Sequence, residues 1–148
     1  MKPKTTNYIS IECLSRSANE AFVRGAVACF AAQLDPTLEE LGDIKTAVSE
    51  AVTNAIVHAY PDALGRIVVK ARVLEETVLE ITVRDWGRGI ADVDRAREPL
   101  YTTGGEERSG MGFTIMESFM DNLTVHSAQG KGTRVTMRRR IRPRRAIR

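Results

Sequence analysis

Cysteine and histidine are scarce in this chain, two of each in 148 residues, and no apolar run approaches the roughly 20 residues of a membrane span. Cys13 and Cys29 have neither metal-site nor redox-motif spacing, so each is expected to be a small buried hydrophobe in a reducing compartment. The segment Met1-Lys2-Pro3-Lys4-Thr5-Thr6 lacks the apolar stretch of a signal peptide, so a cytoplasmic protein with no membrane contact is expected. No internal repeat and no compositional break divides the chain. Its length and its 43% apolar and 28% charged fractions suit one domain over residues 1–148 with a core of its own.

A net positive charge is also missing from most of the chain. Residues 138–148 hold seven arginines and no acid, which leaves 15 basic and 19 acidic side chains elsewhere, a net of −4. The body is mildly acidic, so direct nucleic-acid binding is not expected. Within this basic tail, Arg142 to Arg148, with Pro143 breaking any strand, reads as a solvated end, with a weak polyanion contact as its other use.

The most informative stretch runs from Ile44 to His58. Ile44, Val48, Ala51, Val52, Ala55 and Ile56 recur at the spacing of a buried helix face. Glu50, Asn54 and His58 stand four apart and form a polar line beside it. Such a line is either a solvated edge or the mouth of a pocket. In a pocket, the carboxylate can take or orient a hydroxyl proton while the carboxamide oxygen ligates a hard cation.

The remaining elements follow from local pattern. Tyr8 to Leu14 alternates as a strand. Ser17 and Glu20 have capping-box spacing before a helix whose buried face is expected to comprise Phe22, Ala26, Val27, Phe30, Ala31 and Leu34, with Arg24 pointing to water. A second box, Thr37 with Glu40, opens the helix that runs to about Tyr60. Arg66 to Leu74 and Val78 to Arg84 form a hairpin through Glu75-Glu76-Thr77. Asp85-Trp86-Gly87-Arg88-Gly89 follows directly, then a polar loop over residues 91–109, long enough to be a lid. Gly110-Met111-Gly112 opens a helix carrying Ile115, Met116, Phe119 and Met120. Its glycines suit either a phosphate or close packing. Strands at Leu123–Ser127 and Thr133–Ile141 flank the turn Gly130-Lys131-Gly132. The order β-α-α-β-β-loop-α-β-β predicts a two-layer α/β sandwich, a mixed and mostly antiparallel sheet with helices on one face.

Four boxes thus occur in fixed order: Glu50/Asn54, Asp85-x-Gly87-x-Gly89, Gly110-x-Gly112 and Gly130-x-Gly132-Thr133. Together they resemble the Bergerat-type ATPase superfamily of gyrase, Hsp90, histidine kinases and MutL. Within it, Glu50-Ala51-Val52-Thr53-Asn54-Ala55 with His58-Ala59-Tyr60, and Arg108-Ser109-Gly110-Met111-Gly112-Phe113, look like the sporulation anti-sigma-F factors, small serine protein kinases. The resemblance extends from Tyr8 to about Arg139.

That resemblance implies ATP/ADP and Mg²⁺ as cofactors. Glu50 matches the catalytic carboxylate and Asn54 the Mg²⁺ ligand. Asp85 matches the acid that recognises the adenine amino group, with Gly87, Gly89 and Thr133 around it. Gly110, Met111 and Gly112 match the phosphate-binding segment, and Thr102, Thr103 and Arg108 belong to the lid beside it. Arg24 matches an arginine that contacts the sigma factor and an anti-anti-sigma protein, and a homodimer is implied by the family. His58 is expected to be structural. The lid lacks the lysine that relatives carry, and Ala59 replaces a common glycine. Two alternatives remain: an anti-sigma kinase of a general stress pathway, and a nucleotide-binding module without transfer activity. Against a detached histidine-kinase domain, the chain has no helical hairpin to present a phosphoacceptor, and its only histidines are His58 and His126.

Overall fold

The computed structural model describes residues 2–98 and 112–142. Strand β1 (Thr5–Leu14) leads into α1 (Ala18–Ala31), which tightens into a 3₁₀ turn over Ala32–Leu34. Helix α2 (Leu38–Asn54) runs into a π-helical turn over Ala55–Ala59. Strands β2 (Arg66–Leu74) and β3 (Val78–Asp85) form the expected hairpin. A one-turn helix α3 (Val93–Ala96), helix α4 (Gly112–Phe119) and strands β4 (Asn122–Ala128) and β5 (Gly132–Arg140) complete the described chain.

The five strands lie in the order β1-β2-β3-β5-β4, and all four ladders are antiparallel. Their alternation makes the two layers. Ile67, Val69 and Ala71 of β2, Leu79, Ile81 and Val83 of β3, and Val135 and Met137 of β5 are buried against Val23, Val27, Ile44, Val48, Val52 and Met116 from α1, α2 and α4. The helices therefore cover one face, as the α/β sandwich requires. On the open face Glu80 is 4% exposed and accepts from Arg72 Nε and Arg138 Nε, each at 2.8 Å.

Local chemistry explains the ends. Thr37 Oγ1 accepts from Glu40 N at 3.0 Å, and Glu40 Oε1 accepts from Thr37 N at 2.9 Å, a complete capping box at the start of α2. The hairpin turn holds Glu75 and Glu76 at φ 53° and 62°, with Thr77 N donating to Leu74 O at 3.1 Å. Positive φ at both central positions gives the turn a twist that matches the strands.

Three expectations from the sequence are corrected. Ser17 has helical φ −59° and ψ −28° and makes no capping bond, because only an extended N-cap brings Oγ over the first N–H groups. Glu20 instead accepts from Arg24 Nη1 at 3.1 Å. Phe22 is 65% exposed, while Val23, Val27, Ala28 and Ala31 form the inner stripe. One residue on a helix is a rotation of about 100°, so seating Val23 on the core turns Phe22 outward. Cys29 is exposed rather than buried. Arg138 and Arg139 sit in β5, within the strand expected over Thr133–Ile141, Arg138 on Glu80 and Arg139 Nη1 on Asp43 Oδ2 at 3.1 Å.

These two helix starts give a paired prediction. In urea unfolding, Thr37→Ala is expected to lower stability by about 1 kcal/mol, whereas Ser17→Ala stays within about 0.5 kcal/mol of wild type because no side-chain bond is lost.

Candidate functional site

The site begins with a violation of pattern. The core-facing set on β3 runs Leu79, Ile81, Val83 and then Asp85, which continues the same period-two stripe with a carboxylate and is 5% exposed. Asp85 Oδ1 accepts from Gly87 N at 3.0 Å and from Thr133 N at 3.2 Å, and no described donor takes Oδ2. Burial pushes the Asp85 carboxyl above its ordinary value, and the two N–H bonds and nearby Arg84 offset only part of that. A buried acid with one oxygen held by backbone and one available is suited to accept from an amino group of a planar ligand.

The backbone around Asp85 is tight. A Cβ on Gly87 would lie 2.2 Å from Ala59 O, and one on Gly89, which has φ +74°, would lie 2.1 Å from Ala128 O. Only glycine permits these approaches. Arg88 N donates to Ala59 O at 3.0 Å, so the strand end is stitched to the turn that closes α2.

That turn is π-helical, beginning immediately after Asn54. Single π turns are uncommon and concentrate at functional sites, because the wider turn re-aims side chains and frees a carbonyl. Here it follows the residue expected to ligate a cation. Gly112, the first residue of α4, packs on the Asn54 side chain: a Cβ there would stand 3.0 Å from Nδ2 and 3.1 Å from Oδ1. The amino end of α4 and the carboxamide of α2 therefore meet directly.

Between these parts lies a cleft of about 570 Å³, lined by Asn54, Asp85, Gly89, Gly112 and Thr133 among others. Five sequence-predicted positions from four elements and one loop thus converge. Val83, Ile90, Phe113 and Val135 supply apolar walls, and Arg88 and Arg95 add positive charge at exposed positions. Gly87 supports the floor through Asp85 and Ala59. Glu50 stands one turn before Asn54, half-buried and not among the described lining residues. Arg24 lies on α1, away from the cleft lining, with its side chain 39% exposed and paired to Glu20. It is not a free arginine in water. His58 lines the cleft in the π turn. Thr102, Thr103, Arg108, Gly110 and Met111 lie outside the described residues. The expected long loop starts with α3, capped by Asp92 Oδ1 accepting from Arg95 N at 3.1 Å. Arg97 Nε reaches Glu117 Oε1 on α4 at 2.9 Å.

Ser127 and Tyr60 join the site without having been expected there, and Gly132 of the fourth box gains a defined role. Ser127 Oγ accepts from Ile90 N at 2.7 Å, donates to Gly132 O at 3.0 Å and lies 2.8 Å from Thr133 Oγ1, tying the loop after β3 to β4 and β5. Gly132, at φ +87°, lets β5 approach within 2.2 Å of Asp85 O where a Cβ would stand. Tyr60 OH donates to Arg66 O and accepts from Trp86 N, both at 2.7 Å, and fixes the end of the π turn against two strands.

The donor set fits a magnesium nucleotide. Among the described residues no group of three or more His, Cys, Asp or Glu side chains can hold a metal alone. One carboxamide beside a helix amino end suits Mg²⁺, which keeps waters and shares phosphate oxygens rather than occupying an all-protein cage.

Residues 14–139 match the histidine kinase-like ATPase domain family. The chain is 55% identical to the anti-sigma F factor of Caldanaerobacter subterraneus, covering 91% of this chain and 94% of that protein. It is 52% identical to the anti-sigma F factor of Geobacillus thermodenitrificans, covering 95% and 97%. Among solved structures, the RsbU and RsbW domains of a Mycobacterium tuberculosis protein share the fold at TM-score 0.69 and 23% identity, over 97% of this chain and 34% of that one. The histidine kinase domain of a blue-light-activated kinase from Erythrobacter litoralis gives TM-score 0.58 at 25% identity, over 82% and 61%.

Asp85 yields predictions with defined signs. Because burial disfavours its charged form, Asp85's own contribution to the folded state is greatest at low pH and falls as pH rises from the ordinary 3.8 through the raised value. Asp85→Asn is therefore expected to equal or exceed wild type in thermal stability at pH 7. The same change should weaken adenine-nucleotide binding by about 10- to 100-fold, the range of a lost charge-assisted bond, read by calorimetry. Wild-type affinity should rise with pH across the same window as the carboxylate forms.

Proposed function

Since this chain belongs to the histidine kinase-like ATPases and, within them, to the anti-sigma F factors, we propose that it binds and inhibits a sporulation sigma factor of the sigma-F type and phosphorylates its anti-anti-sigma partner on serine. The observation that carries the enzymatic half is the meeting of Asn54 and Gly112 in one cleft with the half-free carboxylate of Asp85. The regulatory half rests on 52–55% identity to anti-sigma F factors over more than nine-tenths of the chain. We infer one cytoplasmic domain acting as a homodimer, with Arg24 contacting both protein partners. No described helix is long and apolar enough to cross a membrane.

Bound Mg·ATP would supply the transferable γ-phosphoryl group and much of the charge neutralisation that phosphoryl transfer needs. The chain's own residues do the positioning. Asp85 Oδ2 would accept from the adenine amino group, Thr133 and the Gly87–Gly89 backbone would shape that end, and Asn54 would hold the metal. Gly112, at the amino end of α4, and Gly110 and Met111 before it in the sequence would hold phosphate oxygens through backbone N–H groups. Glu50 takes the proton of the incoming serine hydroxyl as its oxygen bonds to phosphorus and ADP leaves.

The test incubates the protein with Mg·ATP and a serine-bearing anti-anti-sigma protein, comparing wild type with Glu50→Ala. Transfer by wild type, a loss of about 10²- to 10⁴-fold in the variant, and unchanged nucleotide affinity support Glu50 as base. Asn54→Ala should instead weaken the magnesium dependence of nucleotide binding. Wild-type protein that binds ATP but transfers nothing would overturn the kinase assignment. Sigma binding that survives Arg24→Ala unchanged would remove Arg24 from the interface.

A further inference from the structure

The face of the sheet that the helices leave open forms a broad trough of about 810 Å³. Its lining is charged and polar. Six Arg and Lys side chains stand there against one acid, Glu80, and only Val68 and Trp86 are apolar. The mild acidity of the chain's body is therefore an average over a basic face and an acidic remainder.

The cross-strand register arranges these side chains in rows. In one row Arg72 of β2, Glu80 of β3 and Arg138 of β5 lie side by side. Glu80 accepts from Arg72 Nε and from Arg138 Nε, each at 2.8 Å, so this row carries its own carboxylate. Four residues further along the same strands, Arg84 of β3 stands directly opposite Arg134 of β5, and His126 of β4 comes next. Like charges directly opposite on neighbouring strands are destabilising, and no acid lines the trough in this row. Arg84 is stacked on Trp86 at 4.9 Å. The exposed Arg134 side chain has neither a hydrogen bond nor an ion pair among the described residues.

The second row thus has the cations of the first and lacks its carboxylate. A carboxylate brought in between Arg84 and Arg134 would repeat what Glu80 does between Arg72 and Arg138, through charge-assisted bonds of the strong kind. Lys70, exposed in the row between, extends the positive strip. The guanidiniums on Glu80 and on Trp86 are already ordered, which lowers the entropy cost of binding. Two features select a polypeptide over a nucleic acid. The Trp86 ring is occupied by Arg66 at 4.2 Å and by Arg84, and no Phe or Tyr lines the trough, so bases have no open ring on which to stack. A long phosphate backbone would also run off the basic face onto the acidic remainder, whereas a short segment would not.

We propose that the open sheet face is a docking surface for an acidic polypeptide segment of a protein partner, with carboxylates seated on Arg84 and Arg134 and further ones toward Lys70. This surface lies across the sheet from the nucleotide cleft and from α1, so it stands or falls independently of the kinase assignment. Trp86 is the chain's only tryptophan, and its fluorescence reports on the guanidinium stacked against it. The full chain is titrated with a short peptide of alternating glutamate and serine, with its glutamine counterpart, and with single-stranded oligothymidine of equal charge, following Trp86 emission and heat. Expected are a change with the glutamate peptide alone, an affinity that falls as salt is raised, and a loss of about tenfold or more in Arg134→Glu. Arg134→Glu sets an acid opposite Arg84, so it should melt at or above the wild-type temperature with nucleotide affinity unchanged, which separates lost docking from lost fold. Wild type that ignores the glutamate peptide at low salt, or binds it with no change at Trp86, would overturn the proposal, as would Arg134→Glu that binds it like wild type. Oligothymidine bound as tightly as the peptide would overturn it in favour of a nucleic-acid surface.

Discussion

The buried carboxylate of Asp85 is the constraint around which the cleft is built. It occupies a position that three aliphatic predecessors on β3 assign to the core, and a bare charge there would be costly. Two backbone N–H groups, from Gly87 and Thr133, stabilise Oδ1. To deliver them, the chain must turn back on itself after β3, and β5 must begin directly opposite. The glycines at positions 87, 89 and 132 follow from that requirement, since each sits where a Cβ would overlap backbone. The acid, its cradle and the opening of the cleft are one device.

A second device sits at the other end. Helix α2 is positioned by its Thr37–Glu40 cap and its Ile44, Val48 and Val52 stripe, and its regular winding stops at Asn54. The π turn that follows presents Ala59 O to Arg88 N, and this links the helix bearing Glu50 and Asn54 to the strand end bearing Asp85. Gly112 then brings α4 onto the Asn54 carboxamide. A ligand spanning the cleft would touch α2, the sheet and a helix tethered by Arg97–Glu117. Supports drawn from packed secondary elements favour positional catalysis, which is what phosphoryl transfer mostly asks of a protein.

The two layers divide the labour. The helix-covered face holds the core and the cleft, while the opposite face carries arginines bridged by Glu80 and a tryptophan with Arg66 and Arg84 stacked at 4.2 and 4.9 Å. Those guanidiniums are held within the sheet itself, so the open face is ordered by its own ion pairs.

Sequence alone determined most of the architecture, because it is governed by local period and turn chemistry. The five strands, α1, α2 and α4, the hairpin and the Thr37 cap are all legible there, and the ordered polar and glycine boxes mark Asn54, Asp85, Gly89, Gly112 and Thr133, which the fold brings to one cleft. Tertiary structure decided whatever depends on choosing between equivalent local solutions. Phe22 and Val23 are both apolar, and only packing on α2 and the sheet selects the valine stripe. Ser17 and Thr37 have the same spacing to a glutamate, yet the incoming chain gives only Thr37 the extended conformation that caps. The π turn, Ser127 and Tyr60 carry no linear mark because their roles arise from groups far away in sequence. Asp85 is the boundary case: its position was readable, while its raised pKa comes from burial, which exists only when the sheet and helices close around it.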